Sequence, residues 1–200
     1  MKDRPALDVT FLPTMAFGSR GLVWWGTIGF IAIETTMLAI CWISYFYLRG
    51  RADEWPPGRK LPELLLPTVG LALILMSALP MYLVDRAAKR MDERGIRLWL
   101  LVCVAFGVAF ITVRGFEFAR LNVFWDTNAY GSVVWVIIGV HTFHLLSEVM
   151  ETAVLAVLWF VGPIGEKQYV DTSDNALYWY FIVLIWVPSY FVLYLAPRVL

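Results

Sequence analysis

Five long apolar segments constrain this chain more than any other feature of its sequence. They run over about residues 22–48, 64–84, 98–120, 132–161 and 176–196. A transmembrane α-helix needs about 20 apolar residues to cross the hydrocarbon core of a bilayer. The segments lack the strict apolar–polar alternation of a membrane β-barrel. The sequence therefore predicts an all-α integral membrane protein, with residues 1–200 forming one bundle of five transmembrane helices.

Composition supports the membrane class and gives no electrostatic case for a nucleic-acid partner. Hydrophobic residues make up 60% of the chain, whereas soluble domains average about 45–50% apolar residues. Lys+Arg and Asp+Glu balance at 16 each, so the chain has no net charge with which to attract a polyanion.

The distribution of basic residues between the loops predicts the orientation. The stretch DRAAKRMDERGIR, residues 85–97, carries five basic residues between the second and third apolar segments. Cytoplasmic loops are enriched in Lys and Arg, so this loop places the N-terminus inside, on the same side as Lys2, Arg4 and Arg20. We expect a multi-pass protein of the bacterial cytoplasmic (inner) membrane with a cytoplasmic N-terminus and a periplasmic C-terminus.

The fourth segment contains GVHTFHLLSEVMETA, which holds both histidines of the chain. Offsets of three, seven and ten residues from His141 place His144, Glu148 and Glu151 on one face of a helix. Ionisable groups inside a membrane usually mark a functional site. Two interpretations stay open: a polar seam hydrogen-bonded to a neighbouring helix, subunit or lipid headgroup, and a metal site built from His141, His144 and Glu148.

Glu34 is the one carboxylate of the apolar stretch GFIAIETTMLAICW. A lone carboxylate at that depth would be neutral or paired. It could act as a proton relay or gate, or it could be hydrogen-bonded across helices to a facing histidine, or to Thr35 or Thr36. We predict a carboxyl–imidazole contact between the first and fourth helices, with Glu148 and Glu151 nearer the inner interface.

A charged cluster, VRGFEFARLNVFWD, ends the third segment. Arg114, Glu117 and Arg120 are spaced three apart and therefore share a helix face. One interpretation is an interfacial cluster with snorkelling arginines. The other is a phospholipid headgroup site, because guanidinium groups bind phosphate through paired donors.

Four stretches occur in an order that is typical of one family. They are WWGTIGFIAIETTMLAICWISYFYLR, RGFEFARL, YGSVVWVIIGVHTFHLL and ALYWYFIVLIWVPSYFVLYL. These stretches resemble, in turn, the glutamate-bearing helix, the aromatic–Glu–aromatic segment, the paired-histidine segment and the last helix of subunit III of the haem–copper (cytochrome c and quinol) oxidases. The resemblance covers about residues 22–196. It implies the five-helix form, which lacks the first two of the family's usual seven helices.

The resemblance implies a non-catalytic subunit without a redox centre, with haem and copper in its partner subunits. Such a subunit packs on the O2-reducing subunit I, in one complex with subunit II. It binds phospholipid and supports assembly, proton uptake and lasting activity in aerobic respiration. By motif position, Glu34 is the glutamate that supports proton uptake. Glu117 is the family's interfacial carboxylate, and His141 and His144 are its paired histidines. Together with Arg114 and Arg120 of the charged cluster, these are expected to be lipid or interface residues.

Two departures indicate a divergent branch of the family. Glu148 stands where the family usually has glycine, and the last helix lacks the family's histidine and aspartate. We therefore expect the polar partners to come from helix 4 rather than helix 5, and Glu148 and Glu151 form a polar stripe without an assigned role. The alternatives are a subunit of a nitric oxide reductase, a membrane metalloenzyme using the His141–His144–Glu148 site, and a small transporter with Glu34 as its proton site.

Overall fold

The computed structural model of the chain describes residues 16–59 and 61–199. Lys2, Arg4 and Lys60, which enter the count of basic residues, lie outside the described residues. The long helices are α1 (Leu22–Arg49), α2 (Leu65–Lys89), α3 (Glu93–Ala119), α4 (Ala129–Val161) and α5 (Glu166–Tyr190). Beyond α5 the chain continues through a π-helical turn, Phe191–Leu195, into the short helix α6, Ala196–Val199. In the described part of the chain, five helices are long and apolar enough to cross a membrane, which confirms the predicted all-α class.

Several helices extend further than the apolar segments indicated. Helix α2 continues to Lys89 instead of ending near residue 84, α3 begins at Glu93 instead of near 98, and α5 begins at Glu166 instead of near 176. Hydropathy detects only the part of a helix that crosses hydrocarbon, whereas polar residues carry the same helix beyond it. At the start of α3, the Asp92 side chain caps the helix by accepting a hydrogen bond from the Gly95 amide.

Helix α5 is central and α1 is peripheral. Helix α5 packs against α1, α2 and α4, and most of its side chains are buried. Helix α1 buries only Glu34, Leu38 and Tyr45, while residues such as Ile33 and Ile43 face outward. One of the three buried residues of α1 is thus a carboxylic acid, so a polar contact contributes to the attachment of this helix.

Helices α3 and α4 approach each other closely at Gly107. A Cβ atom at this position would lie 2.4 Å from Cγ2 of Val149 and 3.4 Å from the Trp179 ring. Small residues at helix interfaces allow such an approach in membrane proteins. The contact lies one residue along α4 from Glu148 and fixes this part of α4 against α3 and α5.

A proline and a π-helical turn interrupt the regular α-helical hydrogen bonding of the last transmembrane segment. Pro188 lies inside α5, where it has no amide hydrogen for the helix ladder. The π-helical turn that follows contains Tyr194, whose side chain is buried. Tyr194 thereby reaches the charged end of α3.

Candidate functional site

A carboxyl–imidazole–phenol cluster joins α1, α4 and α5 inside the bundle. His144 Nε2 lies 3.3 Å from Glu34 Oε1, and the Tyr178 hydroxyl donates a 2.7 Å hydrogen bond to Glu34 Oε2. Glu34 is 4% exposed and His144 7% exposed. Each oxygen of the buried carboxyl group therefore has a partner. The predicted carboxyl–imidazole contact between the first and fourth helices is confirmed.

Tyr178 is the member of this cluster that sequence reasoning missed. We expected the polar partners to come from helix 4, yet helix 5 still supplies a hydroxyl group to Glu34. The presence of a tyrosine in the last apolar segment could have indicated this contact, because a buried tyrosine hydroxyl usually has a hydrogen-bond partner. Thr35 and Thr36, the other suggested partners, instead donate to backbone carbonyls of their own helix.

His141 lies apart from the Glu34 cluster. Its Nε2 donates a 3.1 Å hydrogen bond to the Ile182 carbonyl, since a carbonyl can only accept. Its ring stacks on Trp186 with the centroids 4.4 Å apart. The two histidines of the predicted stripe thus contact different groups: His141 contacts the Ile182 carbonyl, and His144 contacts Glu34.

The charged end of α3 contains a buried ion pair. Arg114 Nη1 lies 2.8 Å from Glu117 Oε2, and the Tyr194 hydroxyl donates to the other Glu117 oxygen. The Arg114 guanidinium lies 3.9 Å from the centroid of the Trp186 ring, within range of a cation–π interaction. Arg114 is only 1% exposed, whereas Arg120 is exposed at the end of the helix.

The expectation of an interfacial cluster with snorkelling arginines is therefore wrong for Arg114. Its side chain turns into the bundle because Glu117, Tyr194 and Trp186 supply a polar and aromatic environment there. A phospholipid headgroup at the surface of this chain can reach Arg120 but not the covered guanidinium of Arg114. The three-residue spacing correctly predicted that Arg114 and Glu117 share a helix face. It did not show that this face is directed into the bundle.

The two carboxylates of the predicted stripe differ in exposure, since Glu148 is buried and Glu151 is exposed. Glu148 is 1% exposed, and neither of its carboxyl oxygens has a hydrogen-bond partner within the described residues. Glu151, less than one turn further along α4, is exposed.

No three His, Cys, Asp or Glu side chains of residues 16–59 and 61–199 are grouped as metal ligands. The described structure thus does not bring His141, His144 and Glu148 together as the ligand set of the alternative metal site.

A cleft of about 670 Å³ opens between α1, α4 and α5 beside this stripe. Acidic residues Glu151, Asp171 and Asp174 line it together with Tyr178, and apolar residues of α1 form the opposite wall. Asp174 is 4% exposed, and its Oδ2 has no hydrogen-bond partner among the described residues. Sequence reasoning missed Asp171 and Asp174 because it began the fifth helix after them. We call this feature the acidic cleft.

Comparison with known proteins agrees with the geometry. Residues 10–197 match the family model described as cytochrome c oxidase subunit III. The chain is similar to cytochrome c oxidase subunit 3 of Thermostichus vulcanus, with 27% identity over 86% of this chain and 87% of the relative. It is also similar to the subunit 3 proteins of Synechocystis (26% identity; 94% of this chain and 83% of the relative) and Alkalihalophilus pseudofirmus (28%; 83% and 82%). The chain therefore belongs to the cytochrome c oxidase subunit III family.

Proposed function

We propose that this chain is the non-catalytic subunit III of a proton-pumping haem–copper terminal oxidase, packed on subunit I in one complex with subunit II. The observation that carries the non-catalytic role is the number and placement of its histidines. His141 and His144 are the two histidines of the chain and both lie on α4, whereas a haem–copper centre needs several histidines from different helices. Haem and copper are expected in the partner subunits. The names of the relatives favour an oxidase over a nitric oxide reductase.

Within the complex, we assign support of proton uptake and lasting activity to Glu34. Its carboxyl group lies inside the bundle with an imidazole on one oxygen and a phenol on the other. All three groups exchange protons, and intramembrane chains of such residues are typical of proton relays. This arrangement favours proton handling over a single structural hydrogen bond.

Glu34→Ala tests this assignment in the purified oxidase complex. The complex is expected to assemble, and to turn over more slowly or inactivate sooner, with the deficit growing at high pH, where solvent protons are scarce. Oxygen consumption followed to inactivation across pH measures both quantities. Glu54→Ala, at an exposed glutamate of the α1–α2 connection, is the matched control. Wild-type rates and lifetime at every pH would leave Glu34 as a structural hydrogen-bond group.

We further propose that the surface around Arg120 binds phospholipid. Arg120 is exposed and lines a groove with Leu66, Leu121 and Tyr194, so a cation lies beside apolar side chains. Glu63 and Glu117 line the same groove, and Glu117 is paired with Arg114. The exposed guanidinium of Arg120 can bind a phosphate through paired donors. Arg120→Ala is expected to lower the phosphorus retained per complex in mild detergent, and the exposed Arg51→Ala serves as the control. Equal lipid content in the two variants would contradict the site.

We place the N-terminus in the cytoplasm and the C-terminus in the periplasm of a bacterial inner membrane. Arg86 and Lys89 end α2, and Arg94 and Arg97 begin α3 on the same side of the bundle. This concentration of basic residues supports a cytoplasmic location for the α2–α3 connection. Labelling of single cysteines introduced at the α2–α3 and α3–α4 connections in intact cells tests the orientation, since only the α3–α4 cysteine should react with an impermeant reagent.

A further inference from the structure

Glu148 is a buried carboxyl group to which the proposed function assigns no role, and both of its oxygens are unpartnered among the described residues. Its side chain is almost completely covered. A buried polar group without a partner is destabilising, so an acid at this position needs a compensating partner. Water is the common partner of buried polar atoms that the protein leaves unsatisfied.

Glu148 lies between the acidic cleft and the Glu34 cluster. Along α4 it is one turn from His144, which contacts Glu34, and less than one turn from Glu151, which lines the cleft. Tyr178 connects the same two places from α5, because it lines the cleft and donates to Glu34. Along α4, Glu148 therefore lies between the acidic cleft and the buried carboxyl group of Glu34.

Other atoms without partners lie on the same route. Asp174 Oδ2 is unpartnered at the wall of the cleft, and His144 Nδ1 is unpartnered at the Glu34 cluster. The ionisable groups that interact electrostatically with Glu148 come from α1, α3, α4 and α5; they are Glu34, Cys103, Glu151 and Tyr178. Apart from the weakly acidic thiol of Cys103, these groups belong to the cleft or to the Glu34 cluster.

We propose that Glu148 is a proton relay that connects the acidic cleft with Glu34 through bound water. At rest Glu148 is a neutral carboxylic acid, because a buried carboxylate without a partner would be costly. It passes its proton through water to the Glu34 carboxylate and becomes a carboxylate. A hydronium ion in the cleft then protonates Glu148 again and becomes water. This inference rests on the proposed role of Glu34 in proton uptake, and it assigns the route by which Glu34 receives its proton.

The test uses the complete oxidase complex and counts turnovers before inactivation as a function of pH. Glu148→Gln keeps the size of the side chain but cannot carry a proton in this way. It is expected to lower the number of turnovers to the level of Glu34→Gln at high pH and to approach the wild-type number at low pH. The double variant is expected to equal either single variant, since both lie on one route. Glu54→Gln makes the same chemical change at an exposed position of the α1–α2 connection and should match the wild type.

The outcomes separate the relay from the proposed function. If Glu34→Gln lowers the number of turnovers and Glu148→Gln does not, the relay is overturned and the role of Glu34 stands. If Glu34→Gln has no effect, both fail. A deficit of Glu148→Gln that is equal at all pH values, or that adds to the deficit of Glu34→Gln, also overturns the relay, because it indicates a structural effect or a separate route.

Discussion

Removing one partner of the Arg114–Glu117 ion pair should destabilise this chain far more than removing a surface charge. The two charged atoms are 2.8 Å apart, and at an effective dielectric constant of about 20 their attraction is about 6 kcal/mol before desolvation is subtracted. Glu117→Ala leaves a guanidinium buried without its counter-ion, and removing one partner of such a pair costs about 3–5 kcal/mol. The Arg114–Trp186 contact exists in the wild type as well, so it does not offset the loss of the counter-ion. The expected destabilisation is therefore about 3–5 kcal/mol.

The assay is unfolding of the full chain in mild detergent by added SDS, followed by tryptophan fluorescence. Glu93→Ala is the control, because Glu93 pairs with Arg97 on the same helix but both side chains are partly exposed. Surface pairs contribute about 0–1 kcal/mol, so this variant should change the free energy of unfolding little. Replacing both Arg114 and Glu117 by leucine should recover most of the stability lost in Glu117→Ala, since no buried charge then remains. A Glu117→Ala cost no larger than that of Glu93→Ala would refute the buried ion pair.

Two further variants probe the packing around the candidate site in the same assay. His144→Leu removes one partner of the Glu34 carboxyl group and should cost about 1–3 kcal/mol, as for an unsatisfied buried group; an unchanged free energy of unfolding would show that Glu34 does not depend on the imidazole. Gly107→Ala inserts a methyl group where Val149 lies 2.4 Å away, and overpacking of this kind costs about 1–3 kcal/mol. Gly139→Ala has open space at the same atom and should not destabilise the chain, so equal stability of the two alanine variants would contradict the close α3–α4 contact.

The sequence alone determined the class of the protein and the positions of its transmembrane helices. Apolar length sets where a chain can cross a bilayer, because every residue in hydrocarbon must pair its backbone groups within a helix. The same physics explains why the helix ends were misplaced. Residues 166–175 of α5 are polar enough to escape a hydropathy criterion, yet they form a helix that carries Asp171 and Asp174.

The sequence also indicated one interhelical contact. Glu34 and the histidine pair are the ionisable groups deep in the first and fourth segments, and an unpaired group there is costly. Because an unpaired ionisable group is costly in the membrane, a contact between Glu34 and one of the histidines was predicted. His144 makes this contact. Periodicity could not decide which histidine turns to Glu34, because both lie on one helix face.

Only the tertiary structure decided how the remaining polar side chains are used. Arg114 and Arg120 are equivalent in spacing, but Tyr194 and Trp186, about 70 residues away in sequence, meet Arg114 and Glu117 and bury them. The burial of Glu148 and the shape of the acidic cleft likewise depend on how α1, α4 and α5 pack. A pattern along one helix shows which residues share a face, whereas the neighbour of that face is set by contacts between helices distant in sequence.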